Sequence, residues 1–123
     1  FKSNMDSGMF RPLQEAAAVA LGLGPSWYEQ LNTVYRKRRE IAYRIMDTLG
    51  CTYRQDQVGL FVWARCPAGA DGYQLSDRAL YDADVFLTPG GIFGDEGNNY
   101  LRISLCSTEA RLEEALGRLT KLG

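Results

Sequence analysis

The sequence predicts an α/β protein with an α+β-like, two-layer arrangement, in which helices pack on a small mixed sheet. Three observations predict this class. The first half contains two consecutive helical patterns, the second of them unusually long. The second half alternates short runs rich in β-branched and aromatic residues with short helical runs. A last amphipathic helix closes the chain, so the predicted order is α-α-β-β-α-β-β-α.

The first predicted helix lies in the alanine- and leucine-rich run MFRPLQEAAAVALGLG. Pro12 suits its first turn, where a missing N–H costs little. We expect Asp6 or Ser7 to cap the start of this helix, and Gly22 and Gly24 to end it.

The second predicted helix runs to about Leu49 and stops at Gly50. Ser26 and Glu29 have the spacing of a capping box. Apolar residues recur along it at intervals of three, four or seven, which makes one stripe: Trp27, Leu31, Val34, Ile41, Ile45 and Leu49. At about 1.5 Å per residue this helix exceeds what a small domain needs, and we expect it to bridge two bodies.

Four strands and two helices are predicted in the second half. The strands are 51–55, 60–66, 84–91 and 100–106, and the helices are 74–83 and the closing segment from 107. The last strand alternates, with Leu101, Ile103 and Leu105 on one face and Arg102, Ser104 and Cys106 on the other. Ser107 or Thr108 is expected to cap the closing helix, whose buried face is Leu112, Ala115, Leu116, Leu119 and Leu122.

Composition excludes several classes of function. The chain has 123 residues, 46% hydrophobic and 24% charged, with a net charge of -1. This balance argues against nucleic acid as a partner, and no apolar run is long enough for a membrane. The sequence has no histidine, which rules out a Ser-His or Cys-His pair and a histidine metal site within it. Its three cysteines are interpreted as reduced packing residues of a cytoplasmic protein.

Arg102 is the candidate binding residue. It lies in the middle of a predicted strand, on the face opposite three apolar residues. One interpretation is a solvent-facing arginine on an edge strand. The other is a guanidinium that binds a carboxylate, since its planar fork pairs with both oxygens. Position alone leaves both open.

The stretch DVFLTPGGIFGDEGNNYLRISLC (84–106) closely resembles the C-terminal signature of class I/II aminotransferases, which are pyridoxal-phosphate (PLP) enzymes of fold type I. The matching elements are Pro89-Gly90, Phe93-Gly94 and Arg102-Ile103-Ser104. Four further segments are similar to that family: GLFVWA (59–64), the helical Tyr35, Arg38 and Arg39, the run 2–21, and the terminal STEARLEEALGRL. The resemblance covers nearly the whole chain. Its departure is Val58, where relatives often have the first of two glycines.

The resemblance implies a role for Arg102 and the class of its ligand. In that family the matching arginine binds the α-carboxylate of the substrate, an amino acid or a 2-oxo acid. Ser3, Asn4 and Phe93 match positions near an active-site entrance or a dimer interface. We therefore expect a homodimeric, cytoplasmic aminotransferase as the intact protein, with PLP as cofactor and no nucleic-acid or membrane partner.

The resemblance also implies that the catalytic centre lies outside this chain. The family's Schiff-base lysine precedes the matched region, and Lys2, Lys37 and Lys121 lack its motif. We expect no catalytic residue, no bound cofactor and no activity in the chain alone. Residues 1–24 are interpreted as the end of the large PLP domain, 25–50 as an interdomain helix, and 51–123 as the small C-terminal domain.

Two alternatives stay open. A PLP-dependent lyase or decarboxylase of the same fold would share the carboxylate-binding arginine. A binding or regulatory module derived from this fold would need no chemistry. Among the other features, the basic run YRKRRE (35–40) is interpreted as a solvated helix face, and Phe61 and Trp63 as packing residues.

Overall fold

A computed structural model describes residues 8–122 of the chain. These residues form four helices and four strands: α1 (Arg11–Leu21), α2 (Pro25–Thr48), β1 (Thr52–Tyr53), β2 (Phe61–Arg65), α3 (Gly72–Ala83), β3 (Thr88–Pro89), β4 (Tyr100–Ser104) and α4 (Glu109–Leu119). Short 3-10 turns cover Gly90–Phe93, Asp95–Gly97 and Thr120–Leu122. The predicted order of elements is confirmed.

The chain divides into two units, residues 1–33 and 34–123. In the first unit, α1 has no buried residue, and its N-cap is Phe10, which makes no side-chain hydrogen bond. The N-cap of α1 is therefore neither of the predicted residues, Asp6 or Ser7, which themselves lie outside the described part of the chain. Helix α2 begins at Pro25, one residue before the predicted cap Ser26.

The second unit is built on a four-stranded sheet with the order β1-β2-β4-β3. All three pairings are antiparallel, so the fold class is confirmed but the sheet is not mixed. The reason is topological. The chain reverses direction between β3 and β4. Strand β4 therefore lies between β2 and β3 and runs antiparallel to both, so β3 does not pair with β2.

The core lies between the inner face of this sheet and the helices of the second unit. The sheet contributes alternate residues of β2 and β4, which are at most 4% exposed: Val62, Ala64, Leu101 and Ile103. The helices contribute Ile41, Ala42, Ile45, Met46, Leu75, Ala79, Leu112, Leu116 and Leu119. Burial of these side chains makes the largest favourable contribution to the free energy of packing the helices on the sheet.

The predicted apolar stripe on α2 is buried only in part. Ile41 and Ile45 lie in the core, and Leu49 packs against it. Trp27, Leu31 and Val34 are exposed. Burial in the second unit thus starts near the middle of α2.

Local backbone chemistry explains the remaining boundaries. Helix α3 begins at Gly72 because Asp71 caps it, its side chain accepting a hydrogen bond from the Gln74 N–H at 2.8 Å. It ends at Asp84, which adopts a left-handed conformation with φ 54°. The predicted strand 84–91 shrinks to Thr88–Pro89, and the strand 51–55 to Thr52–Tyr53. Thr108 caps α4, as predicted.

Candidate substrate-binding site

The outer face of the sheet carries Arg102. Residues whose side chains alternate away from the core are Phe61, Trp63 and Arg65 on β2 and Tyr100, Arg102 and Ser104 on β4. In the β2–β4 register, Trp63 lies directly opposite Arg102, and Phe61 opposite Ser104. Phe61 and Arg102 are thus diagonal neighbours on one face, within reach of long side chains.

The guanidinium of Arg102 lies over two phenyl rings. Its central carbon is 4.2 Å from the centroid of Phe61 and 4.3 Å from that of Phe93. The Nε atom of Arg102 is buried and has no hydrogen-bond partner. None of the ion pairs within residues 8–122 includes this arginine. A half-buried guanidinium without a described counter-ion is suited to binding an anion from outside.

Two further aromatic rings extend this surface. Trp63 stacks on Tyr100, with centroids 5.6 Å apart and planes inclined by 21°. It also contacts Phe93 at 5.9 Å. Phe61, Trp63, Phe93 and Tyr100 therefore form an apolar surface beside Arg102, which strengthens an electrostatic interaction made there.

The turn after β3 positions Phe93. A Cβ atom on Gly90 would lie 2.5 Å from the Gly97 carbonyl oxygen and 3.0 Å from both the Trp63 and Tyr100 side chains. Only glycine fits this close approach. The glycines of PGGIFG thus serve packing, and the turn places the Phe93 ring beside Arg102.

The turn before β2 is held by Gln57. Its side-chain Oε1 accepts from the Trp63 N–H at 2.7 Å, and its Nε2 donates to the Trp63 carbonyl at 3.0 Å. Both backbone groups of Trp63 thus point away from β4, so Trp63 and Arg102 form a non-hydrogen-bonded pair. Side chains of such pairs approach most closely.

Two arginines of α2 anchor the ends of the site's strands. Arg39 donates to the Gly59 carbonyl at 2.8 Å, just before β2, and Arg38 donates to the Leu105 carbonyl at 3.0 Å, just after β4. Both side chains are half-buried. The interpretation of YRKRRE as a solvated face is therefore wrong for these two residues. Val58 is 86% exposed, so its side chain does not crowd the turn.

A cavity of about 650 Å³ opens beside Trp63 but does not include Arg102. It is lined by Thr52, Tyr53, Arg54, Asp56, Gln57, Val58, Trp63, Arg65 and Tyr100. At its rim Arg54 hydrogen-bonds Asp56, which lowers the pKa of that carboxyl. Arg54 and Asp56 are paired with each other, and Arg65, the third charged residue of the lining, is exposed and lies over no phenyl ring of residues 8–122. The cavity therefore offers less to an anion than Arg102 does.

The described residues do not fit a PLP site. Lys37 on α2 and Lys121 in the last turn are exposed, and both belong to elements on the helical side of the sheet. No lysine from residues 8–122 lies on the outer face near Arg102. No group of three or more metal-ligating side chains occurs in this part of the chain either.

The other predicted site residues can now be placed. Phe93 contacts Arg102 itself. Ser3 and Asn4 lie outside the described residues. Phe61 was missed as a site residue, although strand alternation put it on the same face as Trp63. Within residues 8–122, no helix is both long and apolar enough to cross a bilayer.

Comparisons with known proteins agree with this geometry. The family described as aminotransferase class I and II matches residues 2–119. An LL-diaminopimelate aminotransferase of Oleidesulfovibrio alaskensis is 42% identical over 121 residues, covering 98% of this chain and 31% of the relative. The corresponding protein of Aquifex aeolicus is 34% identical, with the same coverage.

Solved structures give the same result. An aminotransferase from Staphylococcus aureus superimposes with a TM-score of 0.80 and 32% identity, covering 98% of this chain and 32% of that one. Substrate-bound BacF from Bacillus subtilis superimposes with a TM-score of 0.78 and 36% identity, covering 94% of this chain and 30% of that one. The chain spans about a third of the length of these relatives. It belongs to the class I and II aminotransferase family.

Proposed function

We propose that the full-length protein containing this chain is a PLP-dependent aminotransferase that transfers an amino group between an α-amino acid and a 2-oxo acid. In this proposal Arg102 binds the α-carboxylate of both substrates. The observation that carries it is the Arg102 guanidinium, which lies over two phenyl rings on the outer sheet face with its Nε buried and unpartnered.

A carboxylate is the ligand that this arrangement favours. The guanidinium presents parallel N–H donors that match two carboxylate oxygens, and the charge-assisted pair is stronger than neutral hydrogen bonds. Strand β4 holds Arg102 between β2 and β3, so its backbone is fixed on both sides. A substrate held by its carboxylate at such a point has its Cα oriented for reaction.

The chemistry at Cα is assigned to residues beyond those described. PLP acts as an electron sink in this class of reaction. We propose that the remainder of the full-length protein holds it and that this chain alone is inactive. Residues 1–24 are assigned to the large domain, 25–50 to an interdomain helix and 51–123 to the small domain.

The relatives' names suggest the first substrate to test. LL-diaminopimelate carries an α-carboxylate beside each amino group, and the relatives from Oleidesulfovibrio alaskensis and Aquifex aeolicus are named for it. We propose this amino acid as substrate, with a homodimer in the cytoplasm as the working form. Light scattering of the full-length protein checks the dimer.

The test measures where the amino group goes. Full-length protein with PLP is given LL-diaminopimelate and 2-oxoglutarate, and glutamate and ammonia are both quantified. We expect glutamate in proportion to substrate consumed and no turnover without the 2-oxo acid. Ammonia release without an acceptor would support the lyase alternative instead.

Two variants test whether Arg102 binds the α-carboxylate of the substrate. Arg102→Gln keeps a polar side chain, which is shorter than arginine, but loses the charged fork, and we expect KM to rise by about 100-fold. Arg65→Gln is the matched control, because Arg65 is an exposed arginine on the same sheet face and no phenyl ring of residues 8–122 lies over it. Equal effects of the two changes would remove Arg102 from the proposal.

A further inference from the structure

The two phenyl rings under Arg102 come from separate elements of the fold. Phe61 lies at the start of β2, and Phe93 ends the 3-10 turn that follows β3. Both rings meet the guanidinium at nearly the same distance, 4.2 and 4.3 Å. Both side chains are otherwise exposed, at 41% and 54%. The guanidinium of Arg102 is therefore one of the main groups that these two rings contact.

The free-energy cost of holding the Arg102 side chain in this position indicates what the two rings do. An arginine on an exposed strand face normally moves among many rotamers and keeps all its donors hydrated. Here the Nε atom is buried without a hydrogen-bond partner, which is unfavourable. Attraction between the cation and the ring faces offsets part of that cost and fixes the side chain.

We propose that Phe61 and Phe93 are positioning residues, which hold the Arg102 guanidinium in one orientation so that its terminal N–H groups are ready for a carboxylate. The inference rests on the proposed function of Arg102. Because the rings already restrict the arginine side chain, binding of a carboxylate does not have to immobilise it. The entropy lost on each binding event is therefore smaller.

The backbone around both rings supports this role. The carbonyl oxygen of Gly59, two residues before Phe61, accepts a hydrogen bond from Arg39 at 2.8 Å. Phe93 is brought close by the Gly90 turn and contacts Trp63 at 5.9 Å. Trp63 in turn lies opposite Arg102 in the sheet. Each ring is thus supported independently of the arginine.

The experiment uses the full-length protein with PLP and measures KM and kcat for the amino acid. Phe61→Leu and Phe93→Leu remove a ring but keep an apolar side chain. We expect each to raise KM about tenfold, with kcat at saturating substrate within about threefold of the parent, since one cation–ring contact is lost. Phe61→Tyr and Phe93→Tyr keep the ring and should restore KM to within about twofold.

Phe86→Leu is the control for removing a phenyl ring in general. Phe86 is 65% exposed and lies between α3 and β3, and its ring is not one of the two that lie over the Arg102 guanidinium. We expect KM and kcat to stay unchanged. Comparable PLP loading in every variant shows that the protein has folded.

Combination with Arg102→Gln separates the two proposals. If the rings act through Arg102, adding Phe61→Leu to Arg102→Gln raises KM no further. If Arg102→Gln raises KM but the ring changes do not, or if their effects multiply, the positioning inference is overturned and Arg102 keeps its role. If Arg102→Gln itself leaves KM unchanged, the proposed function fails, and the inference with it.

Discussion

Arg39 on α2 donates a hydrogen bond from Nη2 to the carbonyl oxygen of Gly59, at 2.8 Å. This contact joins the helical layer to the turn that leads into β2, the strand of Phe61 and Trp63. The same helix reaches the end of β4 through Arg38. The basic side chains of α2 thus fix both ends of the strand pair that carries the candidate site.

Replacing Arg39 tests this anchor. Arg39→Leu loses a charge-assisted bond and leaves the Gly59 carbonyl without this partner. We expect the free energy of unfolding of the chain to fall by about 1.5 kcal/mol, measured by urea denaturation. Arg36→Leu, at an exposed position on the same helix, is the control. Equal losses from both changes would mean that the bond contributes nothing specific.

Gly90→Ala tests the close approach of the turn after β3. The new Cβ would lie 2.5 Å from the Gly97 carbonyl oxygen, and that backbone cannot move aside without shifting Phe93. We expect a loss of about 2 kcal/mol in the chain and a raised KM in the full-length protein. Gly117→Ala is the matched control, since its Cβ meets nothing within 4 Å and should stabilise α4 by about 0.5 kcal/mol. A neutral Gly90→Ala would refute the packing explanation.

Gln57 is expected to determine the local stability of β2. Its amide accepts from and donates to the backbone of Trp63, so Gln57→Leu leaves two groups of β2 without these partners. We expect hydrogen exchange at the Trp63 amide to quicken about tenfold, while the amide of Leu116 in α4 exchanges as before. Unchanged exchange at Trp63 would show that this bond is replaced by water at little cost.

The cysteines should differ in reactivity. Cys106 is exposed, whereas Cys51 and Cys66 are buried. Desolvation raises the pKa of the Cys51 thiol from 9.0 to about 12, with a further contribution from the neighbouring Cys66, whose own pKa is also raised. Because the thiolate is the reactive form, we expect a disulfide reagent at pH 8 to modify one thiol per native chain rapidly. If the Cys106→Ser variant still contained one rapidly modified thiol, this assignment would be contradicted.

The same pKa predicts a loss of stability in alkali. Between pH 9 and 12 the unfolded chain releases the Cys51 proton while the folded chain retains it, so the free energy of unfolding falls as pH rises. The slope from one such group approaches about 1.4 kcal/mol per pH unit. Tyr53, whose pKa is raised to about 12 chiefly by desolvation, acts in the same direction. Urea midpoints of Cys51→Ala should decline less steeply than those of the parent, and parallel declines would exclude Cys51 as a source.

The sequence predicted elements that depend on local patterns. The alternation of Leu101, Ile103 and Leu105 placed β4 correctly, since a period of two is a property of the strand itself. The contact between Arg102 and Phe61 could not be predicted in this way, because it depends on the register of two strands far apart in sequence. The basic run on α2 looked solvated for a related reason: the carbonyls that Arg38 and Arg39 bind belong to distant turns.

A carboxylate-deletion cycle measures the role of Arg102 most directly. The full-length protein and its Arg102→Gln variant are each titrated with the substrate amino acid and with the matching amine that lacks the α-carboxylate, and the dissociation constants are compared. If Arg102 binds that carboxylate, the variant binds the amino acid about 100-fold more weakly but binds the amine as the parent does. If the variant loses the same factor for both ligands, Arg102 does not contact the carboxylate.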